Sequence, residues 1–299
     1  MQKLITVLTA TYNRAHLLPD LYRSLCRQTC HAFDWLLVDD GSTDHTGLLA
    51  LQWMKETTAF HIHYIRRENG GKNRAVNEGV LLVETPFTMI VDSDDYLTDD
   101  AIGFLSLAAS EIADDSNVAG VAALRGTDVN VPLEKPDILA GQYILANNLE
   151  RKKYHLNFDA CEVYKTDLLR SHPFSVWPGE KFVPEEIVWD SFALEGYSLR
   201  WYNKVTYIAR YQKDGLTGAS RKLLQQNPMG YASLFKHRVF LAQSFRQRFY
   251  WNRHLLTQCF LGQHPGYGLK DNITLCSLLS LPIGGLMAIR HRVRYRYMG

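Results

Sequence analysis

Apolar residues in the first 125 positions fall into short runs separated by stretches with helical spacing. Leu4–Thr9, Trp35–Val38, Phe60–Ile65 and Phe87–Val91 are the runs. Between them, Ala15–Arg27 carries Leu17, Leu18, Leu21 and Leu25, Asp44–Lys55 carries Leu48, Leu49, Leu51 and Trp53, and Lys72–Val83 is helical again. Four residues as uniformly apolar as Trp35–Val38 fit a strand buried on both faces. The alternation predicts a Rossmann-like, mostly parallel α/β sheet with helices on both faces. Val118–Leu124 reads as a further strand. Gly126–Asp137, with Pro132 and Pro136, reads as a loop.

Ligands of open α/β sheets sit beyond the carboxyl ends of the strands. Each of the four runs leads into a polar cluster: Thr9-Ala10-Thr11-Tyr12-Asn13-Arg14, Asp39-Asp40-Gly41-Ser42-Thr43-Asp44, Glu68-Asn69-Gly70-Gly71-Lys72-Asn73-Arg74 and Asp92-Ser93-Asp94-Asp95. A parallel sheet therefore gathers all four on one edge.

Three acids within Asp92–Asp95 exceed what capping the next helix, expected near Thr98 or Asp99, requires. Carboxylates crowded this way repel one another unless a cation is present. Their oxygens suit magnesium or manganese bridging a diphosphate. Gly41 permits a tight turn, and Ser42, Thr43 or Asp44 can cap a helix. Asp39 and Asp40 end a buried strand, where a carboxylate can accept the imide proton of a uracil ring. Gly70-Gly71-Lys72 is not a P-loop, because the GxxxxGK[ST] spacing fails. A glycine turn, a lysine and a helix start still form a place where phosphate can rest. No GxGxxG occurs, which disfavours nicotinamide chemistry. His61 and His63 share one face of a strand by alternation, but without a third ligand they read as structural or exposed.

Charge changes the picture at the far end. The net charge of +2 conceals a segment, 221–299, with twelve Lys or Arg and one acid, Asp271. Within it, Leu275–Ile289 is an apolar run of fifteen broken by Pro282, Gly284 and Gly285. A membrane span needs roughly twenty residues. An apolar patch beside Arg290, Arg292, Arg294 and Arg296 suits peripheral contact with an anionic membrane face. A buried helix with a solvated basic end is the other reading. Nucleic acid is disfavoured, since no recognised binding module accompanies the charge. Five scattered cysteines without a CxxC pair imply no zinc module. Cys26 and Cys30 are expected as buried thiols one helical turn apart. The opening residues read as an immediate first strand rather than a signal peptide, which places the chain in the reducing cytoplasm. Ten Tyr and Trp residues between 143 and 211 suit sugar stacking or core packing.

The ordered set of Thr9–Arg14, Val38–Asp44, Asn69–Lys72 with Ala75 and Asn77, and Val91–Asp95 resembles the family-2 glycosyltransferases of the glycosyltransferase A fold, over about a third of the chain. The resemblance implies an inverting hexosyltransferase-type enzyme that builds cell-surface polysaccharide, with a nucleotide-sugar donor, UDP-linked by expectation, and a divalent metal. It implies that Thr9, Ala10, Thr11 and Tyr12 line the nucleotide pocket, with Asp40 and Ser93 beside it. Asp39 would hold the base and Lys72 would lie near the donor. Asp92 would face the ribose or the metal's water shell, and Asp94 would ligate the metal.

The family carries a Glu-Asp pair about ninety residues after the metal motif, at the start of a helix containing a Trp. Val183-Pro184-Glu185-Glu186-Ile187-Val188-Trp189 fits that place with Glu185-Glu186. Glu185, with Glu186 as alternate, is the implied general base. Related enzymes place a His near Tyr211–Thr217; this sequence has none there. The expected organisation is a catalytic domain, 1–220, and a basic helical C-terminal region, 221–299. Within the catalytic domain, 1–125 would bind the nucleotide-sugar and 126–220 would form the acceptor side. The acceptor would be a glycan or lipid-linked sugar at the inner membrane face. Two rivals stand beside this: a sugar-phosphate nucleotidyltransferase, whose glycine-rich N-terminal signature is missing, and a catalytically inactive scaffold, against which the full acid set argues.

Overall fold

The structure is a computed structural model that describes residues 2–139, 141–210, 220–270 and 273–296. The chain runs β1 (Ile5–Thr11), α1 (Leu18–Cys26), β2 (Phe33–Asp39), α2 (Thr46–Glu56), β3 (His61–Arg66), α3 (Lys72–Leu82) and β4 (Phe87–Ile90). It continues through β5 (Tyr96–Leu97), α4 (Ala101–Ser110), β6 (Val118–Asp128), β7 (Val131–Pro132), β8 (Tyr143–Ala146), β9 (Ala160–Lys165) and α5 (Thr166–Ser171). The remaining elements are α6 (Glu186–Leu194), β10 (Ser198–Ile208), α7 (Ser220–Gln226), α8 (Pro228–Leu241), α9 (Phe245–Leu261), α10 (Pro265–Leu269) and α11 (Leu275–Arg296). The first four strands are those the apolar runs predict. Three local expectations differ. The helix after the acid cluster begins at Ala101 rather than Thr98 or Asp99, because β5 intervenes and pairs with β10. The loop expected over 126–137 contains β7, which folds back on β6. Cys26 is exposed and Cys30 half-buried, because α1 ends at Cys26 and the two thiols do not share a helix face.

The strands form one mixed sheet in the order β3-β2-β1-β4-β9-β6-β10-β5, with β7 beside β6 and β8 beside β10. β1 through β4 are mutually parallel, and β9 runs antiparallel to its neighbours β4 and β6. Strand residues alternate between two cores. Ile5, Val7, Trp35 and Leu37 face α1, α2 and α4 through Leu18, Leu21, Ala50, Trp53, Ile102 and Leu105. Leu8, Leu36 and Val38 face α3, α5 and α6 through Val76, Val80, Leu168, Leu169, Val188 and Phe192. Burial on both faces explains the lack of polar alternation in these strands. The aromatics of 143–207 are largely core: Trp201 and Tyr207 are buried, and Tyr164 stacks on Trp189 at 4.4 Å.

The chain divides into two compact units, Met1–Phe174 with Val188–Gln212, and Ser175–Ile187 with Lys213–Gly299. This differs from the expected boundary at 220. Ser175–Ile187, expected on the acceptor side, packs with the C-terminal helices. Trp177 donates to Ser233, and the Glu180 carboxylate accepts the Met229 and Gly230 amides at the head of α8. A carboxylate satisfying free amides at a helix start is stabilising.

In the second unit, α9 packs against α8 and α11. The face α11 turns toward α9 is small and polar: Cys276, Ser277, Ser280, Gly284 and Ala288 are buried. A Cβ on Gly284 would stand 2.8 Å from Leu256 Cβ, so the two backbones approach closely there. Most of the large apolar residues of α11 point outward. Leu275, Leu278, Leu279, Leu286, Ile289 and Val293 are all exposed. No helix among the described residues is long and apolar enough to cross a membrane.

Candidate active site

Register places the strand ends together. Thr11 pairs with Asp39, Asp39 with Arg66, and Leu8 with Ile90. The four loops that follow are joined in series by hydrogen bonds. Asn13 accepts the Thr43 amide at 2.7 Å and donates its own amide to Ser42 Oγ at 2.9 Å. Asp40 binds the next loop through both oxygens, accepting the Gly70 and Gly71 amides at 2.8 Å each. Lys72 Nζ reaches Asp92 Oδ1 at 2.7 Å and so joins the third loop to the fourth. The turn at Gly41 requires glycine: its φ is +81°, and a Cβ would stand 2.9 Å from the Asn69 nitrogen.

The two acids ending β2 divide their work. Asp40 positions the Gly70-Gly71 turn. Asp39 accepts the Ser42 amide at 2.7 Å and the Tyr64 hydroxyl at 2.7 Å. Burial and the Asp39 carboxylate push the Tyr64 phenol well above its ordinary pKa, so it stays a donor. Tyr64 has room because Gly47 lacks a side chain; a Cβ there would lie 2.7 Å from the Tyr64 hydroxyl. At the end of β1, Tyr12 is exposed and Ala10 half-buried. Thr9 is fully buried and its hydroxyl accepts Trp35 Nε1–H, which is a core contact. Thr11 is also buried, and its Oγ1 has no hydrogen-bond partner among the described residues.

The acid cluster is graded by its surroundings. Burial pushes the Asp92 carboxyl up, but the Lys72 and Arg125 cations outweigh it and hold Asp92 below its usual value. Asp94 goes the other way, raised by burial and by the negative charge of Asp92. Asp95 is pushed up to about 6 by burial. Its oxygens accept the Tyr207 hydroxyl and the Arg210 amide, both at 2.7 Å, so it braces the turn rather than facing outward. Ser93 is buried beside it. Tyr207 Oη also accepts the Asp92 amide at 3.1 Å.

Two residues of this site escaped sequence reasoning. Arg125, on β6, lies opposite Tyr207 in register and holds its guanidinium 4.4 Å from the ring centre. Burial alone would disfavour its charge. Tyr207 and the carboxylates of Asp92, Asp159 and Asp95 more than offset this, so the guanidinium stays charged behind the cluster. Only the β6–β10 pairing shows it.

The donor set fits a hard divalent cation. Two half-buried carboxylates, Asp92 and Asp94, repel one another across one turn, which a cation would relieve. Magnesium and manganese are held in this way by one or two carboxylates, with waters and substrate phosphates completing the shell.

The sequence matches the glycosyl transferase family 2 model over residues 6–172, more than half of the chain. The chain belongs to glycosyl transferase family 2. Its fold is the glycosyltransferase A fold, and the family match sets aside the nucleotidyltransferase reading. It is 32% identical over 103 residues to glycosyltransferase GlyG of Streptococcus pneumoniae, a match covering 34% of each protein. It is 25% identical over 184 residues to the poly(ribitol-phosphate) beta-N-acetylglucosaminyltransferase TarS of Staphylococcus aureus, covering 61% of this chain and 30% of TarS. The matched region thus spans about a third of these curated relatives. In fold it resembles S. aureus TarS 1-349 in complex with UDP-GlcNAc, with a TM-score of 0.60 and 18% identity over 94% of this chain and 79% of that one. It also resembles the mannosyltransferase PcManGT of Pyrobaculum calidifontis in complex with GDP-Man and Mn2+, with a TM-score of 0.55 and 16% identity over 97% and 81%.

Glu185 and Glu186, the pair expected to hold the general base, lie at a helix start. Glu185 is the turn residue before α6, and Glu186 is its first residue. Glu186 Oε1 pairs with Arg238 Nη2 at 2.5 Å within the second unit. Both glutamates are half-buried. Trp189, three residues on, anchors the helix in the first unit by stacking on Tyr164 and meeting Phe174 edge-on. The stretch Tyr211–Thr217 lies outside the described residues.

Proposed function

We propose that this enzyme transfers a sugar, with inversion, from a UDP-sugar to a glycan or lipid-linked acceptor, using a divalent metal. One observation carries the reading: Lys72, Asp92 and Asp94 meet at the carboxyl edge of the parallel strands β1–β4, where β1 and β2 end in Thr11 and Asp39. Cations and carboxylates there suit a nucleoside diphosphate and its counterion. Relatives whose names specify UDP-GlcNAc and poly(ribitol-phosphate) favour a cell-surface polymer as product.

Asp39, already oriented by Tyr64 and the Ser42 amide, accepts the imide proton of the base. Asp92 and Asp94 would hold the metal, which when bound would supply positive charge against the departing diphosphate. Lys72 adds a fixed cation at the same place. Glu185 takes the proton from the acceptor hydroxyl. The acceptor oxygen then bonds to the anomeric carbon as the bond to the diphosphate breaks, and the nucleotide leaves with the electron pair. One in-line displacement inverts the anomeric centre.

The same proposal places the enzyme at the cytoplasmic membrane face through its basic C-terminal region. The outward apolar stripe of α11 supports this. It runs beside the exposed Arg290, Arg292 and Arg294. The deciding experiment is a thermal-shift screen of UDP-sugars with and without manganese, paired with a transfer assay. A UDP-sugar should raise the melting temperature only with metal, and Asp94→Ala should lose both the shift and transfer. Full activity in Asp94→Ala would remove the metal role; donor binding without any transfer or hydrolysis would favour the scaffold.

A further inference from the structure

At the opposite edge of the sheet the structure supplies the third ligand that sequence reasoning could not find. His61 and His63 lie on one face of β3, and Asp34 of β2 is the direct cross-strand partner of His61. One ligand atom from each of the three lies within 4.8 Å of the others. Both imidazoles are exposed and Asp34 is half-buried. No hydrogen bond among the described residues commits either ring, and the rings meet each other at 6.4 Å. Lys3 Nζ donates to Asp34 Oδ1 at 2.6 Å, which holds the carboxylate in place.

We infer that Asp34, His61 and His63 form a binding site for a transition metal of the zinc class. Two imidazole nitrogens and one carboxylate oxygen are the donors zinc, cobalt, nickel or copper prefer, and they discriminate against magnesium. Tetrahedral zinc at 2.0–2.1 Å from nitrogen needs ligand atoms about 3.3 Å apart. Exposed histidine rotamers close the remaining gap without backbone movement. A solvent molecule completes the fourth position.

This site is separate from the donor edge. From His61 to Arg66, β3 rises about 17 Å, so an ion here cannot touch the diphosphate. β3 is the outermost strand on its side of the sheet. An ion held between β2 and β3 would therefore cross-link the open edge and stabilise the fold. The inference is independent of the proposed reaction.

The test uses the full chain, stripped with chelator, titrated with zinc alone by calorimetry and with cobalt by visible absorption. Wild type and Asp94→Ala should each bind one zinc at this site and show the absorption of nitrogen-ligated cobalt. His61→Gln/His63→Gln, which keeps polar side chains at exposed positions, should weaken that binding by about tenfold or more. Zinc should raise the melting temperature of wild type and not of the double variant. Affinity should fall on acidification, since histidine binds metal only as neutral imidazole. Equal zinc affinity in the double variant would overturn the site, as would loss of binding in Asp94→Ala with retention in the double variant.

Discussion

Lys72 Nζ stands 2.7 Å from Asp92 Oδ1, so the first residue of α3 neutralises the acid that follows β4. The pair is half-buried, with Arg125 the second cation acting on the same carboxylate. Lys72→Met removes one of the two charges and keeps most of the side-chain volume. The variant should bind UDP about tenfold more weakly, roughly 1.4 kcal/mol. Its pH profile should also move. Lys72 depresses the Asp92 pKa against the effect of burial, so without it the carboxyl takes up a proton at higher pH. The acid limb of activity should therefore shift toward neutrality. Calorimetry and rate profiles from pH 5 to 8 check both; profiles superimposable on wild type would separate Lys72 from the donor.

Asp95 gives a stability prediction of the opposite sign. Burial raises its pKa from 3.8 to about 6 in the folded chain. Between those values the folded chain holds a proton that the unfolded chain has released. Stability from this group is therefore present below about pH 4 and declines as pH rises to about 6. Asp95→Asn carries no charge and can still accept the Arg210 amide. The stability of wild type relative to Asp95→Asn should fall by about 1–3 kcal/mol across that window. Urea unfolding without divalent metal, from pH 4 to 7.5, measures it. A pH-independent difference would show that Asp95 does not titrate there.

How far the sequence could be read follows from where the information lies. The ends of β1 to β4 were legible because each strand is a local run of buried residues and each acid follows directly. The Arg125–Tyr207 support was not. Arg125 is one charge at the end of an apolar strand, and Tyr207 is one aromatic among many; only the register of β6 against β10 joins them. The same holds for Asp34, which lies near His61 through the β2–β3 register and through nothing local. The packing of Ser175–Ile187 with the C-terminal helices was not legible either, because Glu180 holds helix-start amides fifty residues away, and backbone amides have no sequence signature.

The α11 surface predicts a loss that leaves the fold intact. Its small residues pack inward on α9 and four of its five leucines point out, the reverse of a water-facing helix. Leu278 and Leu286 are exposed, so Leu278→Gln/Leu286→Gln removes no core contact. Burying a leucine is favourable by about 1.5–3 kcal/mol, so each replacement should weaken binding to phosphatidylglycerol vesicles by about tenfold or more. The melting temperature without vesicles should not change. Vesicle binding equal to wild type would assign the stripe to something other than lipid.

The two glutamates at the head of α6 differ in where they stand relative to the helix start. Glu186 is clamped by Arg238, an ion pair that ties the start of α6 to α8. Accepting a proton there would discard that pair, which makes Glu186 a poor choice for a group that must cycle its charge each turnover. Glu185 precedes the first helical residue, where the free amides of α6 favour a carboxylate. Glu185→Gln should therefore retain UDP-sugar binding and lose turnover by a factor on the order of a hundred or more. Glu186→Gln should retain most of its turnover and lose stability, by about 1 kcal/mol or less for a half-exposed pair. Comparing kcat with donor affinity and melting temperature for both variants resolves the assignment. The reverse pattern, with turnover lost in Glu186→Gln and kept in Glu185→Gln, would move the base one residue along the chain and make Arg238 its positioning partner.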